Sequence, residues 1–522
     1  MTTSRIALST LLVGALLACG KGDPNTPEYW VKALTDKKSR EQALKDIRKD
    51  KAAHHVDGLL ALMAEEGDHR DDVAQMLGQL GEKFPDARDR IGKALTDVVD
   101  YGVSAASDKT SRRKNLTNQR AVEAFGRMGY AAGGEAAGRL LETSKDQNVR
   151  LAAVTALGRL KSKAYSDKLI TVVEEDDNNF MVKNAIIALG NTGEEKAIPA
   201  LVNKLFFERS VSFYAESSYA LFQIGKPAVP ALVDVLNGKS DALKKLPQQP
   251  NPWIVKAKVV EILADIGDAK ATEPAMAILK APDSGDPFQK IAIAKAAAAA
   301  GRLGIKDAAP MLRKLGTNVD VTQAELPLEA LELIGDRAAA AELIKIASKD
   351  GYMAACKAEG YDDEACKNSE AEVRQLRLEA GTRLGTAAEL DAVEKMEAAE
   401  KDAAIKEMIG KEKARLVAAK ECGAKPECWV AKLKDPNPKV RDKAGFELSY
   451  LKKPETRDAL MAALQEDDLE ARFAIFVALL RLGGDKGADD VRKILDAEEG
   501  KVQFIKINED LKRLEIKLRR GY

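Results

Sequence analysis

Histidine is almost missing from this chain: among 522 residues only His54, His55 and His69 occur, all near the start. That scarcity counts against general acid–base and metal chemistry, which draw on histidine more than on any other side chain. No Gly-x-Ser-x-Gly elbow, phosphate-binding glycine loop or Gly-x-Gly-x-x-Gly turn is present either. Successive helical residues are turned by about 100°, so His54 and His55 are expected to diverge and lie at the surface. Charge of one sign is also lacking. Lys+Arg and Asp+Glu each number 82, and the formal net charge is zero. A nucleic-acid protein carries a basic excess, so no nucleic-acid partner is expected. Aromatics are only 5% of the chain, against 45% apolar residues in all. That balance suits helices packed through Ala, Leu, Ile and Val. Beyond the first twenty residues no apolar run is long enough to span a bilayer.

What is present is a repeat. Ala124-Phe125-Gly126, Ala156-Leu157-Gly158, Ala188-Leu189-Gly190 and Ala220-Leu221-Phe222 follow one another at steps of 32 residues. A fixed period of that size means stacked units, none of which buries its apolar face alone. Val182, Ala185, Ile186 and Leu189 form one helical stripe, and Ile198, Leu201, Val202 and Leu205 form a second. Asn191-Thr192-Gly193 separates them as a helix stop with a left-handed glycine. Pro199 falls in a first turn, where its missing N–H costs nothing. Each unit therefore reads as one helical hairpin.

Several first helices open on a polar residue followed by Val-Arg: Asp146 to Arg150, Glu370 to Arg374 and Asp435 to Arg441. The acid is expected to cap the helix, and the arginine to pair with an acid of its own or the adjoining repeat. The pattern Asp…Val-Arg-x-x-Ala…Ala-Leu-Gly resembles the HEAT-repeat family, in the short form similar to bilin-lyase HEAT-like repeats. This implies an all-α fold, an α-solenoid superhelix of antiparallel helix pairs coupled mainly to their neighbours. The resemblance runs from about residue 28 to 498, weakly over 28–110. It rests on structural positions and carries over no activity. Di-iron hydroxylases with HEAT-like repeats use His-Glu pairs, and this chain has no His-Glu dipeptide. Trp30 to Asp36 is echoed by Trp429 to Asp435, and these tryptophans, with Trp253, are expected to seal hairpin junctions.

Residues 1–18 read as an export signal, with Arg5 ahead of an apolar stretch from Ile6 to Leu17. Leu16-Leu17-Ala18-Cys19 resembles the lipobox of bacterial lipoproteins, which implies a diacylglyceryl group on Cys19. Two or three acyl chains make a lasting anchor at about 0.8 kcal/mol per buried CH₂. Residues 19–27 are the tether. Gly20 in the second mature position favours the outer membrane facing the periplasm, with the cell surface as the alternative.

Four other cysteines form two close pairs, Cys356 with Cys366 and Cys422 with Cys428. Their spacings depart from zinc sites, and local disulfides are the simplest of three connectivities. Residues 237–252, 351–369 and 386–421 break the repeat spacing and read as tolerated loops or a solvated charged helix, with ligand-contacting insertions as the alternative. The resulting division is 28–110 for divergent repeats, 111–350 for regular repeats, 351–428 for the cysteine-containing insertion and charged segment, and 429–522 for the last repeats and a cap. The expected role is a lipid-anchored, non-catalytic scaffold in the cell envelope that binds a protein partner, without metal or cofactor. The rival is a lyase-like or carrier protein holding a small chromophore or lipid in the concave groove.

Overall fold

The computed structural model describes residues 22–103, 108–207, 211–464, 466–498, 508 and 511. The export signal, Cys19 and most of the expected C-terminal cap lie outside them. The described residues are helical, with no β-strand among them. They fall into two compact units divided between Ile224 and Gly225.

In the first unit, helices Gln147–Arg159 and Asn179–Thr192 open regular hairpins closed by Ser166–Glu175 and Ile198–Phe206. The Asp146 carboxylate accepts hydrogen bonds from the Asn148 and Val149 N–H groups, and Asn178 does the same for Phe180 and Met181. Each cap satisfies two of the N–H groups a helix start leaves unpaired. Gly193 then ends its helix at φ 63°, a conformation other residues rarely adopt. Arg150 reaches Asp176 across the hairpin at 2.8 Å. The same clasp ties Arg40 to Glu65 at 2.6 Å within the stretch whose sequence matches the repeat weakly.

The Ala-Leu-Gly anchors are where consecutive first helices touch. A methyl group placed on Gly126, Gly158 or Gly190 would sit 3.0, 2.7 or 2.8 Å from the Cα of Ala156, Ala188 or Ala220. Only hydrogen fits there, so glycine faces the next repeat's alanine and the first helices form one close layer. The second helices meet one another far less.

His55 departs from the expected exposure. It closes a 3₁₀ turn, Ala53–His55, where helical spacing does not apply. The ring is 2% exposed and lies edge-on to Trp30 at 4.4 Å. Its Nδ1 accepts the Ala52 N–H at 3.1 Å. Burial, helped by neighbouring His54, pulls its pKa down to about 4.

In the second unit the first helices include Pro287–Leu303, Val321–Ile334, Asp363–Leu384, Ala403–Cys422, Pro438–Leu451 and Leu469–Ala497. The glycine contact recurs from Gly301 to Ala330 and from Gly445 to Ala474. One expected helix start is displaced. Asp362 caps Asp363–Leu384 by accepting the Ala365 N–H at 2.8 Å, so Glu370 lies within the helix and pairs with Arg374. The stretch between Cys356 and Cys366 is accordingly mostly helical. Their Cα atoms are 6.0 Å apart and their sulfurs are at bonding distance, tying the end of Lys349–Ala358 to the next helix's first turn. Cys422 and Cys428 are likewise joined, with Cα atoms 5.2 Å apart. Trp429 is fully buried and donates its Nε1–H to the Gly423 carbonyl, six residues earlier. Trp30 donates to Pro24 over the same separation, which accounts for the sequence echo. Among the described residues no helix is long and apolar enough to cross a membrane.

Candidate functional site

Two features of the first-helix layer stand out. The first is its apolar exposure. Phe180 (74% exposed) and Ile187 sit on Asn179–Thr192, Phe288 and Ile291 on Pro287–Leu303, and Leu469 at the start of Leu469–Ala497. Phe180 and Ile187 are two turns apart, and Phe288 and Ile291 one turn apart, so each pair shares a helix face. Of the large exposed apolar side chains among the described residues, only Tyr361 lies outside this layer.

The second is a buried ionic cluster in the second unit. Arg415 is fully buried. Its Nη2 lies 2.7 Å from both Asp442 and Glu470, its Nε is 3.0 Å from Asp442, and its Nη1 pairs with Glu412. Arg383 binds Glu332 at 2.8 Å, Asp442 at 3.0 Å and Glu470 at 2.9 Å. Lys439 closes the cluster on Glu470 (3.0 Å), Glu412 (3.2 Å) and Glu379 (3.3 Å). Beneath it, Lys443 donates to the Arg383 and Gly385 carbonyls at 2.5 and 2.7 Å and pairs with Glu447, which also holds Arg337.

Burial alone pushes the Asp442 carboxyl up, and Arg383 and Arg415 more than reverse this, holding it below the ordinary carboxylate value. Glu470 is held down in the same way. Glu332 goes the other way: its burial outweighs the pull of Arg383, which is shared among three carboxylates, and its pKa is raised. Burial draws Lys443 down to about 8 despite Glu447.

The cluster joins helices that are not neighbours in the stack. Tyr450 donates its hydroxyl to the Glu332 and Leu333 carbonyls, 118 and 117 residues earlier. Arg481 donates to the Leu333 carbonyl at 3.1 Å and to Ser449 at 3.0 Å, with its guanidinium over the Tyr450 ring. Helix Pro438–Leu451 thus reaches back to Val321–Ile334, past the two intervening first helices. Coupling limited to adjacent repeats does not hold here. A cleft of about 360 Å³ lies above the cluster, with Glu325 and Glu329 on one side and Leu469, Phe473 and Val477 on the other.

The expected solvated helix over 386–421 is corrected by the same observation, since Glu412 and Arg415 on Ala403–Cys422 are almost wholly buried. A signal was available in register. Val440-Arg441-Asp442-Lys443-Ala444 aligns with Val149-Arg150-Leu151-Ala152-Ala153, so charges stand where the regular repeat has Leu and Ala. The cysteine pairs lie away from the cleft, and His69 points its Nε2 at the Leu62 carbonyl at 3.0 Å. Among the described residues no cluster of His, Cys, Asp and Glu is arranged to hold a metal ion.

The family of HEAT repeats matches residues 134–205 and 427–504, one stretch in each unit. The chain carries HEAT repeats. Between the two matches, hairpins of the same kind continue, so the HEAT-type stacking extends beyond the matched residues. Among solved structures, the chain is similar to importin beta in an ammonium sulfate condition, at 13% identity over 95% of this chain and 74% of that one, with a TM-score of 0.42. It is similar to Kap95p, in a structure on the switch loops of RanGDP, at 13% identity over 94% and 67%, with a TM-score of 0.38. It is also similar to the complex of CpcE and CpcF of phycocyanin lyase from Nostoc sp. PCC7120, at 25% identity over 46% and 94%, with a TM-score of 0.25. No curated protein matches the chain.

Proposed function

We propose that this HEAT-repeat protein is a non-catalytic scaffold of the bacterial cell envelope, held to the membrane by a lipid on Cys19. On this reading it binds a protein partner through exposed apolar faces of first helices, present in each of the two units. The observation that carries the binding reading is the placement of Phe180, Ile187, Phe288, Ile291 and Leu469, all exposed and all on first helices. Within each unit, exposed apolar groups that share a helix face mark a contact surface more than scattered ones do. The anchor is supported by Arg5, the apolar stretch Ile6 to Leu17 and the lipobox-like Leu16 to Cys19. The pairing of the remaining four cysteines suits an oxidising compartment such as the periplasm.

A photo-crosslinking residue placed at Phe180 or Phe288 tests the face, with the exposed second-helix positions Thr171 and Glu273 as controls. Discrete crosslinked protein species at the first pair and none at the controls are expected. Equal crosslinking at all four positions overturns the assignment. For the anchor, Cys19→Ser is expected to release the protein from carbonate-washed membranes, and the wild-type N-terminal peptide should carry the mass of the acyl groups. Retention of the variant on the membrane rules out a lipid on Cys19 as its hold.

A further inference from the structure

We infer that helix Pro27–Thr35, at the start of the first unit, lies against the headgroup layer of the membrane, because the chain joining it to a lipid on Cys19 is too short to let it leave. This rests on the reading of Cys19 as the anchor, and adds which part of the protein meets the bilayer and how closely. Much of the tether expected over residues 19–27 is not free. Asp23 bends the chain: its Oδ1 accepts the Asn25 N–H at 2.9 Å, and its carbonyl accepts the Thr26 N–H at 3.0 Å and the Thr26 hydroxyl at 2.8 Å. The Pro24 carbonyl takes the Trp30 Nε1–H at 2.7 Å. Pro27 then opens the helix, which its fixed φ suits. The helix is itself locked, since a methyl group placed on Gly58 of helix Val56–Ala64 would stand 2.7 Å from the Trp30 backbone.

The chain is thus fixed to the first unit from Asp23 onward. Four Cα steps separate Cys19 from Asp23, and fully extended they span about 14 Å. Were all of 19–27 free, eight steps would span about 28 Å. A helix with its side chains is about 10–12 Å across, so the shorter reach holds the first helix within about one helix diameter of the lipids. Charge does not account for the contact. Lys32, Lys37 and Lys38 are exposed on this helix and the turn after it, and so are Asp23, Glu28 and Asp36. The two signs cancel, so an anionic surface has no net charge to pull on and salt has little to screen. The bilayer is held there by connection alone.

The test uses the lipidated full chain in phosphatidylcholine vesicles that carry a nitroxide on the headgroup, with a fluorescent residue replacing the exposed Glu28. A nitroxide quenches only at short range, and strong quenching is expected. Inserting about twenty Gly/Ser residues after Gly20 adds a coil of about 25 Å root-mean-square length, and is expected to lower the quenching about twofold or more with circular dichroism unchanged. Raising the salt from about 0.05 to about 0.5 M is expected to leave the quenching without the insertion unaltered. Equal quenching with and without the insertion, or its loss in high salt, overturns the proposal. The two readings fail separately. If the N-terminal peptide carries the acyl mass and the protein stays on the membrane, but the probe is quenched no more than in the insertion variant, only the close hold is removed. Absence of the acyl mass, or full membrane retention of Cys19→Ser, removes the anchor and the close hold together.

Discussion

Replacing Arg415 with methionine tests the ionic cluster most directly. Methionine fills much of the same volume, so the change is chiefly electrical. In the native protein Arg415 is fully buried and touches Glu412, Asp442 and Glu470. Removing one partner of a buried ion pair costs about 3–5 kcal/mol, because the remaining charge is stranded away from water. Arg383 still reaches Asp442 and Glu470, and Lys439 still reaches Glu412 and Glu470, so no carboxylate is left wholly alone. That places the expected loss at the lower end, about 3 kcal/mol at pH 7, read from urea denaturation followed by circular dichroism. The sign with pH follows from Asp442. Its native pKa lies below its ordinary 3.8, so its contribution is present above pH 3.8 and disappears as the pH falls through the lower native value. In Arg415→Met the desolvation of Asp442 loses much of its opposition, its pKa rises, and the deficit relative to wild type shrinks on acidification. Adding Asp442→Asn removes the stranded charge and is expected to restore part of the loss. A deficit under about 1 kcal/mol, or a double variant no better than the sum of its parts, refutes the reasoning.

The remaining expectations are local. His55 has a native pKa of about 4 against an ordinary 6.5, so the unfolded chain takes up its proton first; stability falls as the pH drops from 6.5 toward 4, and an NMR titration should show the ring still neutral at pH 5.5. Gly158→Leu forces a side chain into the 2.7 Å gap to Ala188 and should lower stability by about 1–3 kcal/mol in a thermal melt, whereas an unchanged melt means the anchors do not set the repeat contact. Cys356→Ala and Cys422→Ala open loops with sequence separations of 10 and 6, and each should cost roughly 2–3 kcal/mol. Non-reducing peptide mapping that finds free thiols or cross-pairs contradicts those two.

The repeat was readable because its determinants are local. Val149-Arg150 and Ala156-Leu157-Gly158 announce a capped helix, a clasp and a close helix contact within a dozen residues, and the 32-residue step copies them. Val73 and Gly78 make equivalent packing in the first repeats without the full motif, so that stretch looked divergent while following the same rule. The ionic cluster was not readable because charge patterning alone cannot separate a solvated helix from a buried one. Arg415 is buried beside Pro438–Leu451 and Leu469–Ala497, whose Asp442 and Glu470 it binds, and those two residues lie 27 and 55 positions further along the chain. Arg159 and Arg383 make the same point: they hold equivalent places after their first-helix anchors, yet Arg159 is exposed and Arg383 binds three carboxylates. His55 was misread for a smaller reason, the 3₁₀ turn that replaces a helix.

The reach of Tyr450 and Arg481 back to Leu333 has a consequence for how this gene can change length. Repeat arrays grow and shrink by duplication or loss of whole hairpins, and an array whose contacts are all between adjacent units accepts either change. The 32-residue series in the first unit has contacts of that kind, since the atoms nearest a methyl group placed on Gly126, Gly158 or Gly190 all belong to the next repeat. Between Val321 and Arg481 the count of hairpins is locked. One more or one fewer would move Tyr450 away from Leu333 and pull Arg383 and Arg415 off Asp442 and Glu470. Variation in repeat number is therefore expected in the first unit, and substitution without insertion between Val321 and Arg481.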